Sequence, residues 1–159
     1  MITVDWRRYL DDYHDRWPGI TEWILRNAIS RHDETQYEWL AEPLQDAPGR
    51  ILDLACGSAP TRDLPRRRGW LGLDVSTGEL TAAVRSGRGP LVRARGDALP
   101  LPDRAINAVC GAMCLQVGDG LARLLREHGF LIHSDRRCMF RREIVSATDA
   151  ALLIDCEAP

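Results

Sequence analysis

Hydrophobic residues follow a helical spacing in the first third of the chain. Over residues 3–30, apolar and aromatic side chains recur every three or four positions, which predicts helices with one apolar face. Pro18 and Gly19 interrupt this pattern and are expected to separate two helices. A third helix is predicted over residues 34–47. The aromatic members of the apolar face are Trp6, Tyr9, Tyr13, Trp17 and Trp23.

From Arg50 onward the pattern changes to short apolar runs that alternate with short helical segments. This alternation is typical of an α/β fold with a parallel sheet. Helices are predicted over 79–85 and 121–128, and Pro60 and Pro65 leave little room for a helix after the first strand. Strands are predicted over residues 50–54, 70–74, 91–95, 106–111 and 130–133, with a further strand over 151–156.

Composition narrows the class of protein. A chain of 159 residues, 45% of them hydrophobic, supports one domain with one core. Its formal net charge of -2 does not favour nucleic acid or an anionic membrane as a partner, and no long apolar run predicts a membrane span. Five cysteines at irregular spacing are typical of free thiols in a reducing cytoplasm, and their spacing predicts no metal site.

Two acidic residues mark a candidate ligand site. Asp53 ends one apolar run and is followed by small residues around Gly57, and Asp74 ends the next run 21 positions later. Small residues let the backbone approach a ligand closely. An acid at the tip of the next strand can accept hydrogen bonds from a ribose diol. The spacing therefore predicts half of a nucleoside-binding βαβ unit.

These residues resemble the class I S-adenosylmethionine-dependent methyltransferases, whose first motif has the form acid-x-Gly-x-Gly-x-Gly. The four defined positions are held by Asp53, Ala55, Gly57 and Ala59. A family-like acid-Ala-x-x-Leu-Pro segment follows at 97–102, ahead of the apolar run 106–112. The resemblance implies a Rossmann-like three-layer sandwich with a mostly parallel sheet and a truncated C-terminal hairpin. It also implies a helical N-terminal lid over residues 1–48 and a cofactor-binding core over 49–159.

The resemblance implies S-adenosylmethionine as cofactor and a small molecule as methyl acceptor. Asp53 is expected near the methionyl part, Asp74 at the ribose and Asp97 at the adenine amino group. Asp74 has an alternative role as a cap of the following helix, and Tyr37 has one as a core residue. The implied cofactor contacts are Tyr37, Asp53, Ala55, Cys56, Gly57, Asp74, Val75, Asp97, Ala98, Leu99, Gly111 and Ala112. Thr35 lies where relatives often contact the cofactor carboxylate.

No catalytic residue is assigned from the sequence. His14, His32, His128 and His133 are the natural candidates for a base near neutral pH, and His32 and Tyr37 flank the predicted lid. The aromatic residues of the lid are expected to cover the cofactor and form an apolar acceptor pocket.

Two other classes compete with an active enzyme. The eroded first motif and short C-terminal part favour an inactive relative that binds the cofactor or acts as an interaction or dimerisation module. We expect the sheet edge there to be covered by the C-terminal segment or paired with a second copy. A dinucleotide-binding protein is disfavoured, because Asp53 stands where that fingerprint has its first glycine.

Overall fold

A computed structural model of the chain describes residues 5–27, 35–64, 69–96, 98–111, 125–134 and 142–146. The helices are α1 (Trp6–Arg16), α2 (Ile20–Asn27), α3 (Gln36–Ala41) and α4 (Thr77–Arg85). Single 3-10 turns lie at Glu42–Leu44 and Pro60–Asp63. The strands are β1 (Ile51–Leu54), β2 (Trp70–Asp74), β3 (Leu91–Arg93), β4 (Ile106–Gly111), β5 (Leu125–Ser134) and β6 (Arg142–Ser146).

The six described strands form one sheet in the order β3-β2-β1-β4-β5-β6. All neighbouring pairs are parallel except β5 and β6, which are antiparallel. The chain runs outward from β1 in one direction and from β4 in the other. Ligands of open α/β sheets bind at such a reversal, beyond the carboxyl ends of the strands. The predicted α/β fold with a mostly parallel sheet is confirmed.

The last part of the sheet differs from the sequence-based expectation. The predicted helix over 121–128 is wrong for Leu125–His128, which form the first half of β5. Leu125 pairs with Ile106, and a register shift in β4 lets the strand continue to the pair Ala108–Phe130. Pairing along the sheet thus overrides a local sequence of good helix formers.

The edge of β5 is covered by the chain itself. Strand β6 pairs with β5 from Phe130↔Ser146 to Ser134↔Arg142. Of the two predicted solutions for this edge, coverage by the C-terminal segment is the one observed. The predicted strand over 151–156 lies outside the described residues.

Both faces of the sheet carry buried apolar side chains, as expected for a sheet with elements packed on both sides. On one face, Ile51 and Trp70 pack with Leu40 and Leu44 from α3 and the turn that follows it. On the other face the buried cluster comprises Leu52, Leu54, Leu73, Leu99, Ile106 and Val109.

A glycine in β2 is required by the packing of the first face. A Cβ at Gly72 would lie 2.4 Å from Trp70 Cη2 and 2.9 Å from Cys56 Sγ. The indole therefore lies flat across the strand where a side chain would otherwise stand.

The N-terminal helices attach to the sheet by a route the sequence did not predict. Four aromatic side chains of this region are exposed to solvent, namely Tyr9, Tyr13, Trp17 (58% exposed) and Trp23 (65% exposed). The carboxyl end of α1 instead lies against the start of α4, where a Cβ at Gly78 would come within 2.9 Å of the Asp15 Cα atom. The amino terminus of a helix presents unpaired backbone amides, so it receives a carboxylate rather than an aromatic ring.

Candidate cofactor site

The turn after β1 (residues 55–59, here called the motif turn) has the left-handed backbone that glycine favours, although two of its three glycine positions in the motif are alanine. Ala55, Gly57 and Ala59 all have positive φ, at 53°, 53° and 59°. An alanine in this left-handed region costs roughly 1–2 kcal/mol. The turn is held by hydrogen bonds from Cys56 N to Leu73 O (3.0 Å) and from Ala59 N to Cys56 O (2.8 Å). The chain therefore keeps the motif's conformation and tolerates its strain.

Asp74 joins this turn to the start of α4. Its Oδ2 accepts a hydrogen bond from Gly57 N (2.7 Å) and its Oδ1 accepts one from Ser76 N (2.9 Å). The side chain is 9% exposed, and burial raises the pKa of its carboxyl. The alternative role predicted for Asp74, capping of the following helix, places backbone amides on its carboxylate, and two such amides are present. The N-cap residue of α4 is nevertheless Ser76. Each carboxylate oxygen has a second lone pair, so both can still accept from a ligand.

Asp53 faces the core. It is 2% exposed and accepts hydrogen bonds from the Thr61 hydroxyl and, at 3.4 Å, from the Cys110 thiol. The Thr61 hydroxyl also accepts from Trp70 Nε1 at 3.1 Å. Asp53 therefore ties the 3-10 turn after β1 to the sheet below it.

The two acids lie on one face at one edge of the sheet. In the register of β1 and β2, Asp53 lies opposite Gly72. Asp74 comes two residues after Gly72 in β2, so its side chain lies on the same face of the sheet as that of Asp53. Cys56 lies near both: burial raises the pKa of its thiol, and the carboxylates of Asp53 and Asp74 raise it further. The spacing in the sequence thus brings both acids to the same place, with a protonated thiol near both.

Glu79 links the N-terminal helices to the motif turn. Its Oε1 lies 3.0 Å from His14 Nδ1, and its Oε2 accepts from Gly19 N at 2.9 Å. A Cβ at Gly57 would lie 3.6 Å from the same Oε2. The hydrogen bond to Glu79 raises the pKa of His14 despite its partial burial. His14 is thus engaged in holding α1 to α4.

A second carboxylate from α1 completes the start of α4. Asp15 Oδ1 accepts from Ser76 Oγ (2.7 Å) and from Gly78 N (2.8 Å). These two hydrogen bonds, the one from Gly78 foremost, lower the pKa of Asp15. An orphan amide of α4 is therefore capped by a residue from another helix.

Arg88 links α2 to the motif turn. Together with Glu22, Ser58 and Asp63 it forms what we call the Arg88 cluster. Its guanidinium donates to both oxygens of Glu22 (2.7 and 2.9 Å) and to Ser58 O (2.8 Å). It also donates to Asp63 Oδ2 (2.9 Å from Nε). Glu22 accepts in addition from Ser58 Oγ at 2.6 Å. Burial would raise the pKa of Glu22, but the hydrogen bonds from Arg88, Ser58 and Arg26 lower it to about 2.

The start of α3 contributes two buried residues beside this cluster. Tyr37 is buried, and burial raises the pKa of its phenol, with the carboxylates of Glu22 and Asp53 raising it further. Gln36 is 0% exposed, and among the described residues neither its Nε2 nor its Oε1 has a hydrogen-bond partner. Thr35, by contrast, is occupied by a capping box: its hydroxyl and its amide both donate to Glu38 Oε2, at 2.8 and 2.7 Å.

The other predicted contacts are distributed around the same edge. Val75 is half-buried and its carbonyl accepts from Arg93 Nε at 3.0 Å. Leu99 is buried, Ala98 is exposed, and Gly111 ends β4 opposite His133. Asp97, Ala112 and His32 lie outside the described residues, and of His128 only the backbone in β5 is described.

Several residues of the site were missed by sequence reasoning. Glu22, Ser58 and Arg88 carried no recognisable pattern, because their partners lie far away in the sequence or are backbone groups. Thr61 binds side chains only eight and nine positions away, but that spacing belongs to no known motif. Glu79 did carry a signal: Ser76-x-x-Glu79 has the form of a capping box.

Of the described helices, none is long and apolar enough to cross a membrane. Across those same ranges, no three His, Cys, Asp or Glu residues are grouped so as to hold a metal ion.

The strand order, the antiparallel β6 and the elements packed on both faces define a Rossmann-like α/β fold. Comparison with known proteins agrees. No family model matches the chain, and no curated protein matches it, but many solved structures share its fold.

Three of these structures illustrate the range. Phosphoethanolamine N-methyltransferase 1 of Haemonchus contortus, bound to phosphoethanolamine and S-adenosylhomocysteine, has a TM-score of 0.58 at 16% identity over 80% of this chain. Geranyl diphosphate C-methyltransferase of Streptomyces coelicolor, bound to Mg²⁺, geranyl diphosphate and S-adenosylhomocysteine, has 0.53 at 17% over 62%. The [4+2]-cyclase SpnF has 0.51 at 23% over 61%. The matches cover 31%, 42% and 43% of those structures, so the chain spans less than half of each.

Proposed function

We propose that this chain binds S-adenosylmethionine at the carboxyl edge of β1 and β2 and transfers its methyl group to a small molecule. The observation that carries the proposal is the hydrogen bond between Asp74 Oδ2 and Gly57 N. It joins the acid at the end of β2 to the motif turn. That turn follows β1, which borders the reversal of strand order where α/β sheets bind ligands.

The charges around this point suit a cationic cofactor. The carboxylates of Asp53, Asp74 and Glu79 lie close enough to act on the Cys56 thiol. S-adenosylmethionine, when bound, supplies a methyl group activated by a positively charged sulfonium. The residues of this chain would hold and orient it: Asp74 through the ribose hydroxyls, and the Ala55–Gly57 backbone beside the methionyl part. Asp53 would act indirectly, by fixing Thr61 and the turn.

Tyr37 is a donor at neutral pH, because burial and neighbouring carboxylates keep its phenol protonated. It can orient a ligand oxygen but does not serve as a general base. His14 is engaged by Glu79. Methyl transfer to a good nucleophile needs orientation more than proton removal, so the proposal requires no base among the described residues.

The acceptor proposed is a small molecule. The chain's net charge of -2 gives no pull toward nucleic acid, and two of the structures that share the fold were solved with small-molecule acceptors. The lid over 1–48, the core over 49–159 and a cytoplasmic location remain predictions from the sequence.

Calorimetric titration tests the cofactor assignment. The wild-type protein is expected to bind S-adenosylhomocysteine and not NAD. Asp74→Asn should weaken that binding about 10- to 100-fold, the scale of a lost charged hydrogen bond. Asp12→Asn, at an exposed position on α1, is the matched control and should change nothing. Equal affinity in the wild-type and Asp74→Asn proteins would remove Asp74 from the site.

A second candidate is a cofactor-binding relative without methyltransferase activity. Two observations favour it: a [4+2]-cyclase has the same fold, and large aromatic side chains of α1 and α2 are exposed as in interaction surfaces. Transfer of a labelled methyl group in a screen of small acceptors decides for the enzyme. Binding without transfer, together with a dimer on a sizing column, decides for the interaction module.

A further inference from the structure

The end of α1 and the turn before α2 cross the start of α4. This stretch comprises residues 14–19 and is here called the crossing segment. It binds both carboxylate oxygens of Glu79: Oε1 lies 3.0 Å from His14 Nδ1, and Oε2 accepts from Gly19 N at 2.9 Å. Glu79 is 2% exposed. The crossing segment therefore covers the carboxylate that α4 presents beside the motif turn.

The backbone of the crossing segment touches that of α4 directly. A Cβ at Gly78 would come within 2.9 Å of Asp15 Cα and 3.2 Å of the His14 carbonyl oxygen. Asp15 Oδ1 also accepts from Gly78 N at 2.8 Å and from Ser76 Oγ at 2.7 Å. No molecule fits between the crossing segment and the first turn of α4 while these contacts hold.

The crossing segment lies beside the point at which the cofactor is proposed to bind. The Asp74 carboxylate is 9% exposed, and His14 is close enough for the charge of each group to act on the pKa of the other. The Glu79 oxygen that Gly19 N binds would lie 3.6 Å from a Cβ at Gly57. The segment thus adjoins both the acid at the end of β2 and the motif turn.

The contacts that hold the crossing segment are polar and partly open to solvent. Asp15 is exposed and His14 is half-buried, and the large apolar side chain of the segment, Trp17, is 58% exposed. Water can replace a polar partner at low cost, whereas buried apolar area has no such replacement. The segment can therefore leave α4 while the apolar clusters of the sheet stay intact.

We propose that the crossing segment is an autoinhibitory contact, which closes the cofactor site and must leave α4 before S-adenosylmethionine binds to Asp74. This inference rests on the function proposed above. The chain then exchanges between a closed form and an open form, and the open form alone binds. The apparent affinity is reduced by the fraction of molecules that are open. Loosening the contact therefore strengthens binding.

Asp15→Ala tests this consequence, because it removes the acceptor of two contacts and Asp15 is not among the proposed cofactor contacts. Stopped-flow fluorescence should show S-adenosylhomocysteine associating about 3- to 10-fold faster than with the wild type. The affinity should rise by the same factor, with dissociation unchanged within about 2-fold. A merely structural aspartate would give equal or weaker binding. Asp12→Ala makes the same chemical change at an exposed position of the same helix, and should alter neither quantity.

Hydrogen exchange in the wild-type protein gives a reading that needs no variant to fold. The Gly19 amide is bound by Glu79 when the segment lies on α4. Addition of S-adenosylhomocysteine should speed exchange of this amide and slow exchange in the motif turn. A lid that closes over a bound ligand would slow both.

The two measurements separate the proposal from the function on which it rests. The autoinhibitory contact alone is overturned if the wild type binds S-adenosylhomocysteine and the ligand slows exchange at Gly19, or if folded Asp15→Ala binds no faster. Binding by Asp15→Ala but not by the wild type would support a contact that is closed in nearly every molecule. If neither protein binds S-adenosylhomocysteine, the proposed function fails and the autoinhibitory contact fails with it.

Discussion

The sheet and the N-terminal helices are held in place by different forces. In β1, Ile51 and Leu52 are fully buried in apolar clusters on opposite faces of the sheet. Among the side chains described in residues 5–27, only Leu25 is buried. This segment is attached instead through carboxylates. Asp15 accepts from the start of α4 and Glu22 accepts from Arg88. In the other direction, Glu79 of α4 binds His14.

The difference has a physical consequence. Burial of apolar area is insensitive to pH and to moderate salt, whereas paired charges at a partly exposed junction respond to both. The segment can therefore be loosened without unfolding the sheet. Three experiments test this contrast, in order of decreasing expected effect.

The largest effect is expected inside the core. Thr61→Val leaves the buried carboxylate of Asp53 and the indole N–H of Trp70 without the hydroxyl they share. Losing two buried hydrogen bonds, one of them to a charge, should destabilise the fold by about 2–4 kcal/mol in urea denaturation. Thr81→Val, at an exposed position on α4, should cost less than about 0.5 kcal/mol. A loss below about 1 kcal/mol in Thr61→Val would mean that the Asp53 network contributes little to the core.

A smaller effect is expected where α2 meets the motif turn. Arg88→Met removes the guanidinium from Glu22, Asp63 and the Ser58 carbonyl. The expected loss is about 1–3 kcal/mol. Limited proteolysis should then cut within residues 5–27 sooner than in the sheet.

Salt sharpens this second test. Raising ionic strength should speed cleavage of the wild type toward the rate of Arg88→Met, because it screens the ion pairs. Arg85→Met, exposed on α4, is the matched control and should be cleaved like the wild type. Uniform cleavage across the chain in Arg88→Met would contradict a separately attached segment.

The smallest effect depends on pH. The hydrogen bond to Glu79 raises the pKa of His14 above its ordinary value of 6.5, and the charges of Asp74 and Asp11 act in the same direction. Its stabilisation is therefore fully present below about pH 6.5 and is lost as the pH rises through the raised value. His14→Gln should cost about 0.5–1 kcal/mol at pH 6 and close to nothing at pH 9, since the ring is partly exposed. A cost that grows with pH would show that the neutral ring, not the charged pair, holds α1.

Much of the fold could be predicted because strands in a parallel sheet are buried on both faces. The apolar runs over 70–74 and 106–111 predicted the bounds of β2 and β4. The spacing of Asp53 and Asp74 predicted that both acids lie at the carboxyl edge of the sheet. The long-range partners could not be predicted. A carboxylate such as Glu22 looks the same in sequence whether it is solvated or paired with an arginine 66 positions away.

Two helix starts show where local patterns stop being informative. Thr35 and Glu38 form a complete capping box. Ser76 and Glu79 have the same spacing, but the amide of Ser76 is bound by Asp74, so Glu79 is free to hold α1. The role of Glu79 is therefore set by Asp74 at the end of β2, and not by the capping-box spacing alone.

The distance in sequence between α1 and its partners also constrains how the protein is made. Asp15 contacts Gly78, and His14 contacts Glu79, across 63 and 65 positions. A ribosome thus delivers the first helix long before the residues that receive it. Until α4 has been translated, Asp15 and His14 have neither the backbone amide nor the carboxylate that they bind in the folded protein. Docking of the first helix therefore waits for the synthesis of α4, well after the helix itself has left the ribosome.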